Sequence, residues 1–278
     1  MYIYIMRVID IKDLNFKYEE KLIFKNFSLN LDDSNCYVLS GLNGCGKSTL
    51  LRLIAGKTLC GYNEVNVLGK DPFRYTKLLN DIAFLNNDWG KSTVAYSGYN
   101  IPIQSSLKVD EMMVELRKTY KDRSDELISV LGINLNWSLN NISEGQRKRV
   151  QLYLGLIKPF KVCLLDEITV NLDILVKTRL MNYLKKESIE NKACIVYVTH
   201  IFDGLNDWCT QLVYLQKNNN VVIESINDIK NRDIFAFLLE KFLKEYDENE
   251  IEEEENKQPI LIKNAGGYTP GVLHDLKY

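Results

Sequence analysis

A chain of 278 residues that is 46% hydrophobic and 26% charged has the composition of a globular protein with a substantial core. Its net charge of −2 gives no general affinity for nucleic acid or an anionic membrane. The longest apolar runs, six residues as at 234–239, fall far short of the roughly 20 needed to span a bilayer.

The opening MYIYIM, ahead of Arg7, is too short for a signal-peptide core, so a cytoplasmic location is expected. Residues 8–16 and 27–31 alternate apolar and polar side chains, as half-buried antiparallel strands do. Tyr37-Val38-Leu39 runs straight into a glycine-rich turn, and 47–55 reads as a helix stopped by Gly56. Strands are expected at 64–68 and 82–85. From about 88 to 142 the chain is polar, with helical patches at 109–120 and 124–132. A helix follows Ser143 to about Ile157. The apolar runs 162–165 and 194–198 read as buried strands with a helix at 174–188 between them, and this alternation implies a mostly parallel sheet covered by helices. A last helix is expected at 232–245. Residues 245–255, EYDENEIEEEE, hold eight acids and no base, and 246–278 reads as an acidic linker and solvated tail. Six cysteines without a CxxC pair fit buried free thiols in a reducing compartment.

Residues 41–48, GLNGCGKS, satisfy G-x-x-x-x-G-K-[ST] between an expected strand and an expected helix, where a phosphate-binding loop must lie. Gly41, Gly44 and Gly46 let the backbone turn its N–H groups toward a β-phosphate at the helix N-terminus. Lys47 offers a positive charge to the β- and γ-phosphates, and the Ser48 hydroxyl is placed for Mg²⁺. Asn43, Cys45 and Thr49 complete the nucleotide-binding stretch, with Cys45 in a slot for a small residue. In VCLLDE, Asp166 closes a buried strand at the end where open α/β sheets bind ligands, and can hold Mg²⁺ through water. Its neighbour Glu167 can orient or deprotonate an attacking water. His200 closes the second apolar strand, and its imidazole can reach the γ-phosphate on the same rim.

Residues 142–146, ISEGQ, resemble the LSGGQ signature of ATP-binding-cassette (ABC) ATPases, with Ser143, Gly145 and Gln146 matching and Glu144 in place of the first glycine. The 23 positions from Ser143 to Asp166 and the 34 from Asp166 to His200 also resemble the family's spacing. The resemblance covers about residues 7–235. It implies an α/β P-loop NTPase fold, with a RecA-like, mostly parallel core sheet, an antiparallel β subdomain and an inserted α-helical signature subdomain. In these terms residues 1–245 form one ATPase domain, with its core at 1–87 and 145–235 and the helical insertion at about 88–144. It further implies that ATP and Mg²⁺ bind here and that Ser143 contacts the γ-phosphate held by a second copy, so a head-to-tail homodimer forms on ATP. Asp173 matches an acid that crosses that interface. Tyr18 takes the place of the aromatic that stacks on adenine, with Phe16 as the competing candidate. The family's Mg²⁺-contacting glutamine has no direct match: spacing favours Asn87 and chemistry favours Gln104.

The phrases KPFKVCLLDEITVNLD and THIFDGLNDW look like the soluble, non-transporter ABC ATPases of fungi and plants, a group with a member tied to a transcription and mRNA-deadenylation complex. That resemblance implies a protein partner. The alternative is a nucleotide-binding subunit serving transmembrane domains on a separate chain. Nucleic-acid-associated relatives usually carry two cassettes, whereas this chain has one P-loop.

Overall fold

The alternating strands at the start of the chain form β1 (Arg7–Tyr18) and β2 (Lys21–Asp32), which pair antiparallel. The computed structural model describes residues 6–86, 93–94, 100–101, 108–112 and 114–255. In chain order there follow β3 (Cys36–Ser40), helix α1 (Lys47–Ile54), β4 (Val65–Val67) and β5 (Ile82–Leu85). Two-residue strands β6 (Thr93–Val94) and β7 (Asn100–Ile101) come next, then helices α2 (Val109–Met112), α3 (Val114–Thr119), α4 (Lys121–Leu131) and α5 (Glu144–Leu156). The chain continues through β8 (Val162–Asp166), α6 (Ile174–Glu190), β9 (Cys194–Val198), β10 (Gln211–Leu215), β11 (Val221–Ser225) and α7 (Ile234–Glu255).

One sheet has the order β2-β1-β4 and is antiparallel. The larger sheet has the order β11-β10-β3-β9-β8-β5, parallel throughout except for the edge strand β11. Every residue of β3 and β9 is buried, as a continuous apolar run requires when helices or a second sheet cover both faces. Successive side chains of β3 enter different cores. Tyr37 and Leu39 pack with α1 and the antiparallel sheet, whereas Cys36 and Val38 pack on the other face with α5 and α6.

On that second face Arg123 of α4 fixes the helical segment to α6. Its Nη1 donates to Glu187 Oε1 at 2.6 Å, its Nε donates to the Leu156 carbonyl at 2.9 Å, and the guanidinium lies over the Phe160 and Tyr183 rings. Both members of this ion pair are nearly sealed from solvent, with side chains 13% and 6% exposed.

Two expectations need correction. The hairpin β10–β11 was not anticipated, although its signal lies in QLVYL-QKNNN-VVIES, two β-rich runs around an asparagine turn closed by Gln216 N donating to Asn220 O. The last helix runs past its expected end at 245, since α7 continues through Glu255. Glu245 is buried, accepting from the Lys217 N–H at 2.7 Å and from the Tyr214 hydroxyl, so the acidic run starts inside the fold.

All six cysteines are free thiols, five of them buried. Burial pushes the Cys36 thiol up to about 11 and Cys209 up to about 12. For a group raised on folding, the stabilisation is fully present below its ordinary value of 9.0 and is lost as pH climbs through the folded-state value. Cys36 alone is expected to withdraw on the order of 2 kcal/mol between pH 9 and 11. Denaturant midpoints at pH 8 and 11 check this, and at pH 8 the five buried thiols should resist a disulfide reagent until the chain unfolds.

Candidate nucleotide-binding site

Three neighbouring parallel strands, β3, β9 and β8, end on the same edge of the large sheet and deliver the phosphate loop, His200 and the Asp166–Glu167 pair to one place. The adjacency of β8 and β9 is what the sequence predicted from two apolar runs ending in DE and H.

The loop's shape depends on glycine at two positions. Gly46 caps α1 at φ 102°, and a Cβ there would lie 2.8 Å from the Phe24 ring. At Gly41 a Cβ would stand 2.2 Å from the Leu215 carbonyl of β10. Lys47 is buried and curls back, its ammonium donating to the Gly41 carbonyl at 2.7 Å and the Leu42 carbonyl at 3.1 Å. These neutral acceptors hold the charge beneath the loop, where phosphate oxygens are stronger partners. Cys45 is buried beside Gly41, and burial raises its thiol pKa against the lowering effect of Lys47. It fills space as a neutral group.

A cavity of about 280 Å³ opens over the loop, lined among others by Asn43, Gly44, Gly46, Lys47, Ser48 and Thr49, with Glu167 and His200 opposite. Asp166 adjoins the cavity through Ser48 of its wall. Burial raises its carboxyl pKa, opposed by a hydrogen bond from Ser48, and the Glu167 charge raises it further. Glu167 has a left-handed backbone, φ 51°, which is costly for a residue with a Cβ. The turn is held by the Glu167 N–H donating to the Val198 carbonyl at 3.0 Å. It swings the carboxylate away from Asp166's position to within 3.3 Å of His200 Nε2, and both side chains are about two-fifths exposed.

Lys21 and Ile23 of β2 also line the cavity, and sequence reasoning missed them. The only signal was register, because Lys21 sits opposite Tyr18 at the tip of the β1–β2 pair. Of the two aromatic candidates, Phe16 is buried, whereas Tyr18 is 42% exposed and meets the Phe16 ring edge-on at 4.9 Å. Tyr18 therefore has the free face, next to the cavity rather than in its wall.

Ser143, Gly145, Gln146 and Asp173 are not in that wall. Ser143 caps α5 in a reciprocal box: its Oγ accepts from the Gln146 N–H at 3.2 Å, while Gln146 Oε1 accepts from the Ser143 N–H at 2.9 Å. Asp173 caps α6 through the Val176 N–H and stands 3.5 Å from Arg149 of α5. Farther along α5, the buried Gln151 donates to the Asn86 carbonyl at 2.6 Å, at the exit of β5. Asn87 and Gln104, the two candidates for the missing glutamine, lie outside the described residues.

The profile of the family described as "ABC transporter" matches residues 24–170, from β2 through the loop, the signature helix and Glu167. The chain belongs to this family. ABC transporter I family member 20 of Arabidopsis thaliana is 38% identical to the cassette over 85% of this chain and 74% of its own length. CCR4-associated factor 16 of Saccharomyces cerevisiae is 35% identical over 77% of each. A bacterial ABC transporter cassette solved as a dimer superposes with TM-score 0.60, covering 80% of this chain and all of that one at 24% identity, which establishes the shared fold. The cassette is thus an ATP-binding P-loop protein of the ABC type. Among its described residues no helix is long and apolar enough to cross a membrane.

Proposed function

We propose that the cassette hydrolyses MgATP between two copies arranged head to tail and uses the closing motion on a protein partner. The observation that carries this reading is a division of labour within one chain. Most of the loop, Glu167 and His200 line one cavity, with Asp166 hydrogen-bonded to Ser48 of its wall, while the capped Ser143 tip of α5 lies outside that wall. A helix N-terminus with free N–H groups is an anion site, and the resemblance of ISEGQ to the ABC signature gives it the γ-phosphate bound by a second copy. The bacterial cassette of the same fold was solved as a dimer.

In this reading the Lys47 ammonium exchanges its loop carbonyls for phosphate oxygens. Tyr18 stacks on the base. Among the described residues no cluster of three or more His, Cys, Asp or Glu could hold a metal, so a cation here depends on the hydrogen-bonded Ser48–Asp166 pair, phosphate and water. That donor set suits Mg²⁺, which would neutralise charge on the β- and γ-phosphate oxygens. Glu167 accepts the proton of the attacking water, and His200 steadies both that carboxylate and the γ-phosphate. Asp173, Gly145 and Gln146 contribute at the interface, and Asn87 or Gln104 completes the Mg²⁺ shell. Residues 1–245 act as one ATPase unit, with the helical insertion at about 88–144 presenting the signature.

The name of the yeast relative, CCR4-associated factor 16, supports a protein partner. The family's own description supports a second reading, a subunit docking on transmembrane chains, and co-purification with membranes after a salt wash would favour it. Sedimentation with a non-hydrolysable ATP analogue tests the head-to-tail reading. The wild type should dimerise, and Ser143→Glu should remain monomeric while binding nucleotide with unchanged affinity. A Ser143→Glu form that dimerises like wild type overturns the arrangement.

A further inference from the structure

Glu144 is the acid in the first turn of α5, adjoining the positive end where the proposed interface receives a phosphate. A carboxylate at that position can fold over the free N–H groups itself and compete with an incoming anion. It is instead drawn sideways: Glu144 Oε1 accepts from Asn171 Nδ2 at 2.9 Å. Asn171 presents its amide from a left-handed backbone, φ 73°, in the loop between β8 and α6. The approach is close, since a Cβ on Gly145 would lie 2.9 Å from the Asn171 carbonyl. The Arg149–Asp173 contact ties the same loop to the next turn of α5.

We propose that Asn171 is a positioning residue that holds the Glu144 carboxylate off the tip of α5, so that the tip can accept the triphosphate bound by a second copy. The inference rests on the head-to-tail reading. A signature bearing an acid works because a residue 27 positions away removes that acid from the anion's path. Both side chains are exposed, so the competition they prevent is partly screened by salt.

Asn171→Gly removes the amide while keeping the backbone conformation unstrained. With the non-hydrolysable ATP analogue it should weaken dimerisation about tenfold at low ionic strength, with a smaller loss at 0.5 M salt and an unchanged melting temperature. Asn171→Asp, which sets two carboxylates against each other, should weaken it further. Adding Glu144→Gln to Asn171→Gly should restore dimerisation, because the competing charge is gone, whereas a merely structural role for Asn171 would leave the double variant as weak as the single one. Wild-type dimers together with an Asn171→Gly form that dimerises equally well, or a double variant that stays weak, overturn the inference and leave the head-to-tail reading standing. A wild type that never dimerises sinks both.

Discussion

Glu167→Gln should lower ATP turnover by roughly 10²–10⁴-fold, the usual contribution of a positioned general base, while leaving nucleotide affinity nearly unchanged. The amide preserves the size of the side chain and an oxygen within reach of His200, now 3.3 Å from the carboxylate, but it cannot take a proton from water. With hydrolysis blocked, ATP itself should trap the closed dimer, which will elute early on size exclusion and survive removal of free nucleotide. Steady-state turnover and the elution profile together decide the matter. A variant with wild-type turnover shows that another group activates the water. Because Glu167 occupies a left-handed backbone position, Glu167→Gly offers a second check: it should be as inactive as the glutamine variant yet no less stable, since glycine relieves the strain.

The largest stability effect is expected at Arg123. Arg123→Ala should destabilise the fold by about 3–5 kcal/mol, because it leaves the Glu187 carboxylate buried without its partner. The same truncation removes a donor from the Leu156 carbonyl and a cation lying over two rings. Arg123→Lys should recover little, since an ammonium cannot reach the carbonyl and the carboxylate with the fork of a guanidinium. The exposed pair Lys186–Glu126 is an internal control. Its contact is about as short, 2.7 Å, but the side chains are 47% and 39% exposed, so Lys186→Ala should leave the denaturation midpoint nearly unchanged. Urea denaturation midpoints measure all three. An Arg123→Ala loss as small as the control's would show that the pair is not sealed from water.

What was legible in the sequence was whatever local chemistry dictates. The glycines of 41–46 announce a turn, VCLLD and CIVYV announce strands buried on both faces, and Ser143 three residues ahead of Gln146 announces a capped helix start. The phosphate loop, Asp166, Glu167 and His200 follow from where such strands end. What could not be read depends on long-range register. Lys21 reaches the cavity because β1 and β2 pair with Tyr18 opposite it, and β10 is recognised as core only once it lies beside β3. The helical course of 246–255 does not show in a run dominated by charge, and the anchoring of Glu245 by the Lys217 N–H and the Tyr214 hydroxyl comes from distant residues. The Glu144–Asn171 contact was likewise invisible, as two polar residues 27 apart carry no pattern.

The bond from Gln151 to the Asn86 carbonyl couples α5 to the chain leaving β5. Ser143 stands eight residues up the same stiff rod, an arm of about 12 Å at 1.5 Å per residue. If the chain leaving β5 were tugged so that the rod tilted by about 10°, the serine would swing by about 2 Å, comparable to the reach of one hydrogen bond. On the proposed head-to-tail reading, a pull on the chain leaving β5 would thereby reach the end of α5 that meets a second copy's nucleotide.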